Sequence, residues 1–166
     1  MSIADILNSK KVSLSFEVFP PKKKEALESI KETALSLTKL NPDFISVTFG
    51  AGGTTQGYTA EIAEAIENNG TTSLAHLTCV RSTLEALEAT IADLKKRNIK
   101  NVLALRGDLP KDALEGENVF PSGYTHASDL VTLLKKEGLC VGGACYPEGH
   151  PESASRETDI DLLKYK

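Results

Sequence analysis

The sequence predicts an α/β protein built around a parallel β-sheet, and three observations support this class. Five short apolar segments alternate with longer segments in which apolar residues recur at helical spacing. The segment at residues 101–105 is apolar without alternation, which is typical of a strand covered on both faces. Glycine, proline or polar residues follow the apolar segments, as they do where strands end in loops. Repeated strand–helix–strand units form right-handed crossovers and therefore a parallel sheet.

The predicted elements follow one another along residues 1–166, which we interpret as a single α/β domain. A short amphipathic segment at residues 3–7 precedes the first strand. The predicted strands cover residues 12–19, 44–49, 71–77, 101–105 and 139–145. The predicted helices cover residues 27–40, a segment through Ile62 and Ile66 that ends at Gly70, and residues 84–94, 127–136 and 157–166. The stretch at residues 111–124 has little periodicity and is predicted to be a functional loop.

The composition limits the classes of partner. The net charge of -4 argues against binding to nucleic acid or to an anionic membrane surface, since both need a basic surface. No apolar run approaches the roughly 20 residues that span a bilayer, and the first ten residues lack the apolar core of a signal peptide. We therefore expect a cytoplasmic protein that binds a small molecule. The three cysteines lack the spacing of a metal site or of a disulfide framework, so no metal is predicted.

Polar side chains lie at or just past the end of each predicted strand. In strand order they are Glu17, Thr48, His76, Arg106 with Asp108, and Tyr146 with His150. Ligands of α/β proteins bind at this edge of the sheet. Gly107 is expected to permit a sharp turn there, although an ordinary ion pair between Arg106 and Asp108 is an alternative interpretation.

Two architectures fit this pattern. A five-stranded, open, doubly wound parallel sheet fits the length, whereas a (β/α)8 TIM barrel of about 250 residues would need roughly three more β-α units. In an open sheet only the loops beside the topological switch point converge on one site. Functional side chains at five successive strand ends instead favour a partial barrel that contains about the first five units of a (β/α)8 barrel.

Six motifs together resemble a known family. They are FEVFPP at residues 16–21, VTFGAGG at 47–53, HLTC at 76–79, ALRGD at 104–108, ASDL at 127–130 and YPEGHPE at 146–152. In this order they resemble methylenetetrahydrofolate reductases of the bacterial type, which are flavin-dependent (β/α)8 barrels. Members of this family continue for about three further β-α units, so the resemblance covers an N-terminal portion.

The resemblance implies reduction of 5,10-methylenetetrahydrofolate to 5-methyltetrahydrofolate. NADH or NADPH would first reduce bound FAD, and the folate would then reoxidise it in a ping-pong scheme. By resemblance Glu17 is the general acid and Asp108 lies near the flavin and the pterin. We expect burial of the Glu17 carboxyl inside its strand to raise its pKa, although an ion pair with one of the lysines at residues 22–24 is an alternative.

The resemblance also assigns the FAD contacts. These are Thr48, Phe49, Ala51, His76, Arg106, Gly107, Asp108, Ala127, Tyr146, His150, Asp159 and Lys166. Arg106 would supply a cation for cofactor oxygens or phosphate. The chain departs from relatives at Leu162 and Tyr165, where they often carry polar or basic contacts, and His126 is a further candidate neighbour of the flavin. His76 has an alternative interpretation as a hydrogen-bonded core histidine.

Two other functions remain open from the sequence. The first is a different small flavoprotein with a doubly wound sheet, although the first strand is followed by Pro20-Pro21-Lys22 rather than by a phosphate-binding loop. The second is a truncated half-barrel, without full activity, that binds ligand or assembles with a partner, because an unclosed sheet leaves edge strands to cover. We also expect a homo-oligomer.

Overall fold

The protein contains one five-stranded parallel sheet with helices between its strands. The structure is a computed structural model and describes residues 1–50 and 56–166. The strands are β1 (Ser15–Val18), β2 (Phe44–Val47), β3 (Thr72–Thr78), β4 (Asn101–Leu105) and β5 (Cys140–Gly143). The helices are α1 (Ile3–Ser9), α2 (Leu27–Thr38), α3 (Gln56–Asn68), α4 (Leu84–Lys96), α5 (Ala127–Lys136) and α6 (Arg156–Tyr165), with a short 3₁₀ helix (Lys24–Ala26) before α2.

The strand order distinguishes the two predicted architectures. Each strand pairs in parallel with the next strand along the chain, in the order β1-β2-β3-β4-β5. A doubly wound sheet would reverse its order at a switch point, and this sheet does not. The doubly wound alternative is therefore wrong, and the prediction of a partial β/α barrel is confirmed.

The two faces of the sheet have different surroundings. Side chains alternate along each strand, so Val47, Ala75 and Ala104 enter the core formed with α2, α3, α4 and α5. The opposite face, here called the inner face, carries Leu103 and Leu105, which are only half-buried. The prediction that the fourth strand is covered on both faces is thus wrong for this chain, because Leu103 and Leu105 are only partly covered on the inner face.

Asn101 joins α1 to the edge of the sheet where the strands begin. Its side chain is 1% exposed; the amide oxygen accepts a hydrogen bond from the Ile3 backbone N–H at 2.8 Å. The amide nitrogen donates to the carbonyl oxygens of Met1 and Ser73, each at 3.2 Å. Because α1 covers the edge where the strands begin, the edge where they end is left for ligands.

Helix α6 presents apolar side chains to solvent. The N-cap residue Ser155 accepts a hydrogen bond from the backbone N–H of Thr158. Leu162 is 56% exposed and Tyr165 is 81% exposed. Among the helices in the described ranges, none is long and apolar enough to cross a membrane.

Candidate active site

Most of the predicted site residues fall into two groups at the edge where the strands end. The first group lies on the inner face and consists of the predicted residues Glu17 and His76 together with Ser46, which was not predicted; we call it the inner-face cluster. The second group surrounds a cavity of about 560 Å³ between the ends of β4 and β5 and helix α6, which we call the β4–β5 cavity. Neither Glu17 nor His76 lines this cavity.

Three neighbouring strands supply the inner-face cluster. Glu17 of β1 lies opposite Ser46 of β2 in the sheet register, and His76 is in β3. The Ser46 hydroxyl donates a hydrogen bond to Oε2 of Glu17 at 2.9 Å. Nε2 of His76 lies 3.5 Å from the same carboxylate oxygen. One oxygen of Glu17 is therefore the meeting point of all three side chains.

His76 is buried and its ring is incompletely hydrogen-bonded. Its side chain is 9% exposed, and within the described residues Nε2 has no hydrogen-bond partner. At 3.5 Å the Glu17 carboxylate attracts a charged imidazole, but the distance exceeds that of a normal hydrogen bond. Burial lowers the pKa of His76, and the negative charge of Glu17 opposes this effect only in part. An unsatisfied buried nitrogen argues against a purely structural core histidine and is available to a ligand.

The expected burial of Glu17 is wrong. Its side chain is 48% exposed, because the alternation of β1 directs Val18 into the core and Glu17 to the uncovered inner face. The alternative interpretation, an ion pair between Glu17 and one of the lysines at residues 22–24, is also wrong. The partners of Glu17 are Ser46 and His76. The Glu17 carboxyl group is thus held by the hydrogen bond from Ser46, and it remains accessible to solvent.

Thr48 and Phe49 lie beyond the end of β2 and outside the cavity. The Thr48 backbone N–H donates to the Val18 carbonyl oxygen at 3.0 Å, and its own carbonyl oxygen accepts from Thr59 Oγ1 at 2.9 Å. Phe49 is half-buried against the core. Ala51, another predicted FAD contact, lies outside the described residues.

The β4–β5 cavity brings together most of the predicted cofactor contacts. Those that line it are Arg106, Gly107, Asp108, Ala127, Tyr146, His150, Asp159 and Lys166. Its volume is within the usual range for sites that bind small molecules and cofactors. Leu162 and Tyr165, the two positions at which the sequence departs from its relatives, also line the cavity, together with Leu163.

Gly107 makes the turn at the end of β4. Its φ of +86° lies in the left-handed region, and a Cβ atom there would lie 2.5 Å from Cγ1 of Val80. The Val80 backbone N–H donates to the Arg106 carbonyl oxygen at 2.9 Å, so the loop after β3 packs directly on this turn. The buried thiol of Cys79 contacts the same carbonyl oxygen, and burial raises its pKa to about 11. Only glycine at 107 allows the two loops to approach this closely.

Arg106 pairs with Glu152 and not with Asp108. Nη1 and Nη2 of Arg106 donate to the two carboxylate oxygens of Glu152 at 2.6 and 2.8 Å, a bidentate geometry. The pair raises the pKa of Arg106 and lowers that of Glu152. The interpretation of Arg106 and Asp108 as an ordinary ion pair is wrong, and Asp108 remains an exposed carboxylate at the cavity wall. Our sequence reasoning missed Glu152, although it belongs to the YPEGHPE motif.

The loop between β5 and α6 is held by short-range contacts. The rings of Tyr146 and His150 meet edge to face with centroids 4.8 Å apart. Asp159 of α6 accepts a hydrogen bond from the His150 backbone N–H at 3.0 Å, and Nδ1 of His150 accepts from the Glu152 backbone N–H at 3.1 Å. Nζ of Lys166 donates to the Ala144 carbonyl oxygen at 3.0 Å. His150 therefore links Tyr146, Glu152 and Asp159, while Lys166 makes a separate hydrogen bond to the end of β5.

The start of α5 forms another side of the cavity. His126 is the N-cap residue, and the Asp129 carboxylate accepts hydrogen bonds from the backbone N–H groups of Thr125 and His126, each at 3.0 Å. Ala127 follows at the first helical position and lines the cavity with His126. Asp129 and Ser46 are residues that sequence reasoning missed as site residues. A carboxylate three residues after an N-cap gives a sequence signal, whereas a serine inside a strand gives none.

The strand order and the position of the site define the class of the protein. It is part of a β/α barrel that carries its cavity and its reactive side chains at the end of a parallel sheet. The chain belongs to the family described as methylenetetrahydrofolate reductase, whose family model matches residues 2–166. The family resemblance predicted from the sequence motifs is thereby confirmed.

Several curated relatives carry the same name. The 5,10-methylenetetrahydrofolate reductase of Pectobacterium carotovorum subsp. carotovorum is 37% identical over 158 residues, with 94% of this chain and 51% of the relative covered. The enzyme of that name from Escherichia coli (strain K12) is 36% identical, with 93% and 51% covered. Methylenetetrahydrofolate reductase (NADH) 1 of Zea mays is 35% identical, with 93% and 27% covered. The chain thus spans about half the length of its bacterial relatives.

A solved structure gives a weaker likeness. The crystal structure of citrate synthase SbnG aligns with 86% of this chain and 54% of that chain at 13% identity, with a TM-score of 0.42. We draw no conclusion about function from it.

Proposed function

We propose that this chain forms the flavin-binding and proton-donating part of a reductase that converts 5,10-methylenetetrahydrofolate to 5-methyltetrahydrofolate. The observation that carries the proposal is the arrangement at one edge of the sheet, where Glu17 and His76 meet at 3.5 Å and the β4–β5 cavity opens beside the next strands. Membership of the family supports the reaction. NADH or NADPH is the proposed electron donor, and the names of the maize and Arabidopsis relatives favour NADH.

The residues of the β4–β5 cavity fit FAD. Two cations, Arg106 and Lys166, line it and suit the anionic part of the cofactor. The apolar wall of Leu162, Leu163 and Tyr165 suits an aromatic group. When bound, the flavin would accept hydride from the nicotinamide and pass it to the folate carbon. The unsatisfied Nε2 of His76 gives a further hydrogen-bonding position on the inner face.

Glu17 is the proposed proton donor. Opening of the five-membered ring of the substrate breaks a carbon–nitrogen bond, and the nitrogen that leaves must be protonated. Glu17 carries a carboxyl group on the uncovered inner face, where a folate can reach it. The Ser46 hydroxyl holds one carboxylate oxygen, Oε2, and Oε1 accepts no hydrogen bond from the described residues, so Oε1 is available to the substrate. The proposed role of Glu17 as the acid is therefore supported by its position and its accessibility, and not by the burial that we expected from the sequence.

Asp108 has a proposed electrostatic role. It is exposed at the cavity wall, and the guanidinium of its neighbour Arg106 pairs with Glu152 rather than with Asp108. Among the described residues, Asp108 forms no salt bridge. Asp108 therefore contributes a negative charge to the cavity wall. A negative charge beside a flavin disfavours the anionic reduced form and so favours donation of hydride to the folate.

A second candidate is a half-barrel that binds ligand but needs a partner for full activity. The observation that favours it is the exposed apolar face of α6, where Leu162 and Leu163 are 56% and 47% exposed. A homo-oligomer and a cytoplasmic location are further proposals that apply to either candidate. Assay of turnover by the purified chain alone separates the candidates, because the second requires a partner for full activity.

The proposed acid is tested by replacing Glu17 and measuring the two half-reactions separately. Glu17→Gln should leave reduction of the flavin by NADH or NADPH unchanged, because that step needs no proton on the folate. Reoxidation by methylenetetrahydrofolate should slow by at least ~10²-fold, the low end of general-acid effects. Stopped-flow absorbance of the flavin follows both rates, and Glu25→Gln, an exposed glutamate before α2, is the matched control. Equal slowing of both steps, or none of reoxidation, contradicts the role of Glu17.

A further inference from the structure

Ser46 is a buried polar residue in the middle of the inner-face cluster. It is 7% exposed, lies in β2 and is paired with Glu17 in the register of the sheet. Its hydroxyl has two acceptors within reach: Oε2 of Glu17 at 2.9 Å and the Phe16 carbonyl oxygen at 3.5 Å. The shorter distance and the charge of the carboxylate both favour Glu17 as the acceptor. The single proton of the hydroxyl is therefore directed to Glu17.

We propose that Ser46 is a positioning residue, which holds the Glu17 carboxylate beside His76 through Oε2 and leaves Oε1 to exchange a proton with the substrate. The Glu17 side chain is 48% exposed. Without the Ser46 hydroxyl it would lose the hydrogen bond that holds it against β2 and would rotate into solvent. Oε1 accepts no hydrogen bond from the described residues, so it is the oxygen that a ligand can reach. The effect of Ser46 on catalysis rests on the proposed function of Glu17 as the acid, whereas its effect on the position of Glu17 does not.

The pKa of His76 reports the position of the Glu17 carboxylate, and it can be measured without an assay of activity. The pKa of His76 is lowered by burial and raised by the charge of Glu17, which lies 3.5 Å from Nε2. This second effect requires the carboxylate to stay near Nε2, at the distance of 3.5 Å that Ser46 maintains. If the carboxylate moves away, the pKa of His76 must fall.

The test is a pH titration of the His76 ring by NMR in the flavin-free chain. Glu17→Gln and Ser46→Ala should each lower the titration midpoint, because both remove negative charge from the neighbourhood of Nε2. Ser46→Thr should keep the midpoint of the original protein, since it retains the hydroxyl and a β-branched residue suits a strand. In the double variant the midpoint should fall no further than in Glu17→Gln alone.

Two results overturn the proposal. The first is an unchanged His76 midpoint in Ser46→Ala. The second is an equal fall of that midpoint when Ser46→Ala is added to Glu17→Gln, because either result removes Glu17 from the effect. Unchanged His126 and His150 resonances check the fold. If Ser46→Ala does not fold, Ser46→Cys replaces it, because a thiol is a far weaker hydrogen-bond donor.

A second readout links Ser46 to the reaction. In the flavin-loaded enzyme, Ser46→Ala should slow reoxidation by the folate roughly tenfold, the effect of losing one hydrogen bond to a charged group. Reduction of the flavin should be unchanged, and Ser46→Thr should restore reoxidation. If Glu17→Gln fails to slow reoxidation, the proposed acid is wrong, while the titration of His76 still decides whether Ser46 positions Glu17.

Discussion

At the scale of single residues, the site depends on side chains whose surroundings differ from those usual for their type. His76 is a titratable group buried on the inner face with an unpartnered nitrogen within the described part of the chain. Gly107 occupies a backbone conformation and a space that no other residue fits. Ser46 is a strand residue whose hydroxyl serves a catalytic carboxylate in our proposal. Each feature makes a prediction that a matched variant can isolate.

The buried imidazole of His76 predicts a dependence of stability on pH. Its pKa in the folded state is lower than the ordinary value of 6.5, so below this value the unfolded chain binds more protons. The free energy of unfolding should therefore fall as the pH drops below about 6.5, by at most about 1.4 kcal/mol per pH unit from this one group. Urea unfolding of His76→Gln should lack this part of the slope. The exposed control His126→Gln should keep it, and equal slopes in all three proteins would contradict the assignment.

Gly107 predicts a packing effect beyond that of its backbone conformation. Gly123 has a similar φ of +78° but nothing within 4 Å of an added Cβ, so it is the matched control. Gly123→Ala should cost about 1 to 2 kcal/mol, the cost of a left-handed conformation. Gly107→Ala should cost about 1 to 3 kcal/mol more, because its Cβ would overlap the Val80 side chain. Thermal or urea unfolding measures both, and equal costs would show that the two loops do not pack as closely as described.

At the scale of elements, the sheet is tied at one edge and left accessible at the other. Helix α1 is held against the beginnings of β3 and β4 by Asn101, whereas the loops after β4 and β5 surround the cavity. The loops are in turn linked by the bidentate pair of Arg106 and Glu152. This division places the structural hydrogen bonds and the ligand-binding groups at opposite edges of one sheet.

The attachment of α1 predicts a large effect at Asn101. Asn101→Ala would leave the buried backbone N–H of Ile3 and the buried carbonyl of Ser73 without this partner, at a cost of about 1 to 3 kcal/mol. Hydrogen exchange should accelerate in α1 more than in α4. Asn8→Ala, an exposed residue of the same helix, should have little effect on either measurement. Unchanged exchange in α1 would mean that Asn101 does not attach it.

Some elements of the fold and the site could be predicted from the sequence and some could not. The strand ends and the turn at Gly107 follow from local patterns of apolar residues, glycine and proline, which act within a few positions. The exposure of Glu17 could not be predicted, because local alternation gives two faces but not which of them is covered. Ser46 and Glu152 were missed, since their roles arise only when β1 pairs with β2 and when the loop after β5 reaches Arg106.

At the scale of the whole molecule, the chain presents one wall of a β/α barrel. The sequential strand order places all five strand ends along one continuous edge, so the inner-face cluster and the β4–β5 cavity face the same side of the sheet. The chain spans about half the length of the bacterial relatives it matches. We propose that this wall already contains the flavin site.

Titration of the purified chain with FAD, followed by flavin fluorescence and visible absorbance, tests that claim most directly. We predict saturable binding that Arg106→Ala weakens roughly tenfold or more, the effect of one charge-assisted contact. Lys95→Ala is the matched control, because Lys95 also pairs with a carboxylate, at 2.8 Å, but lies outside the β4–β5 cavity. Absence of saturable binding, or equal affinities for the two variants, would contradict a flavin site at the ends of β4 and β5.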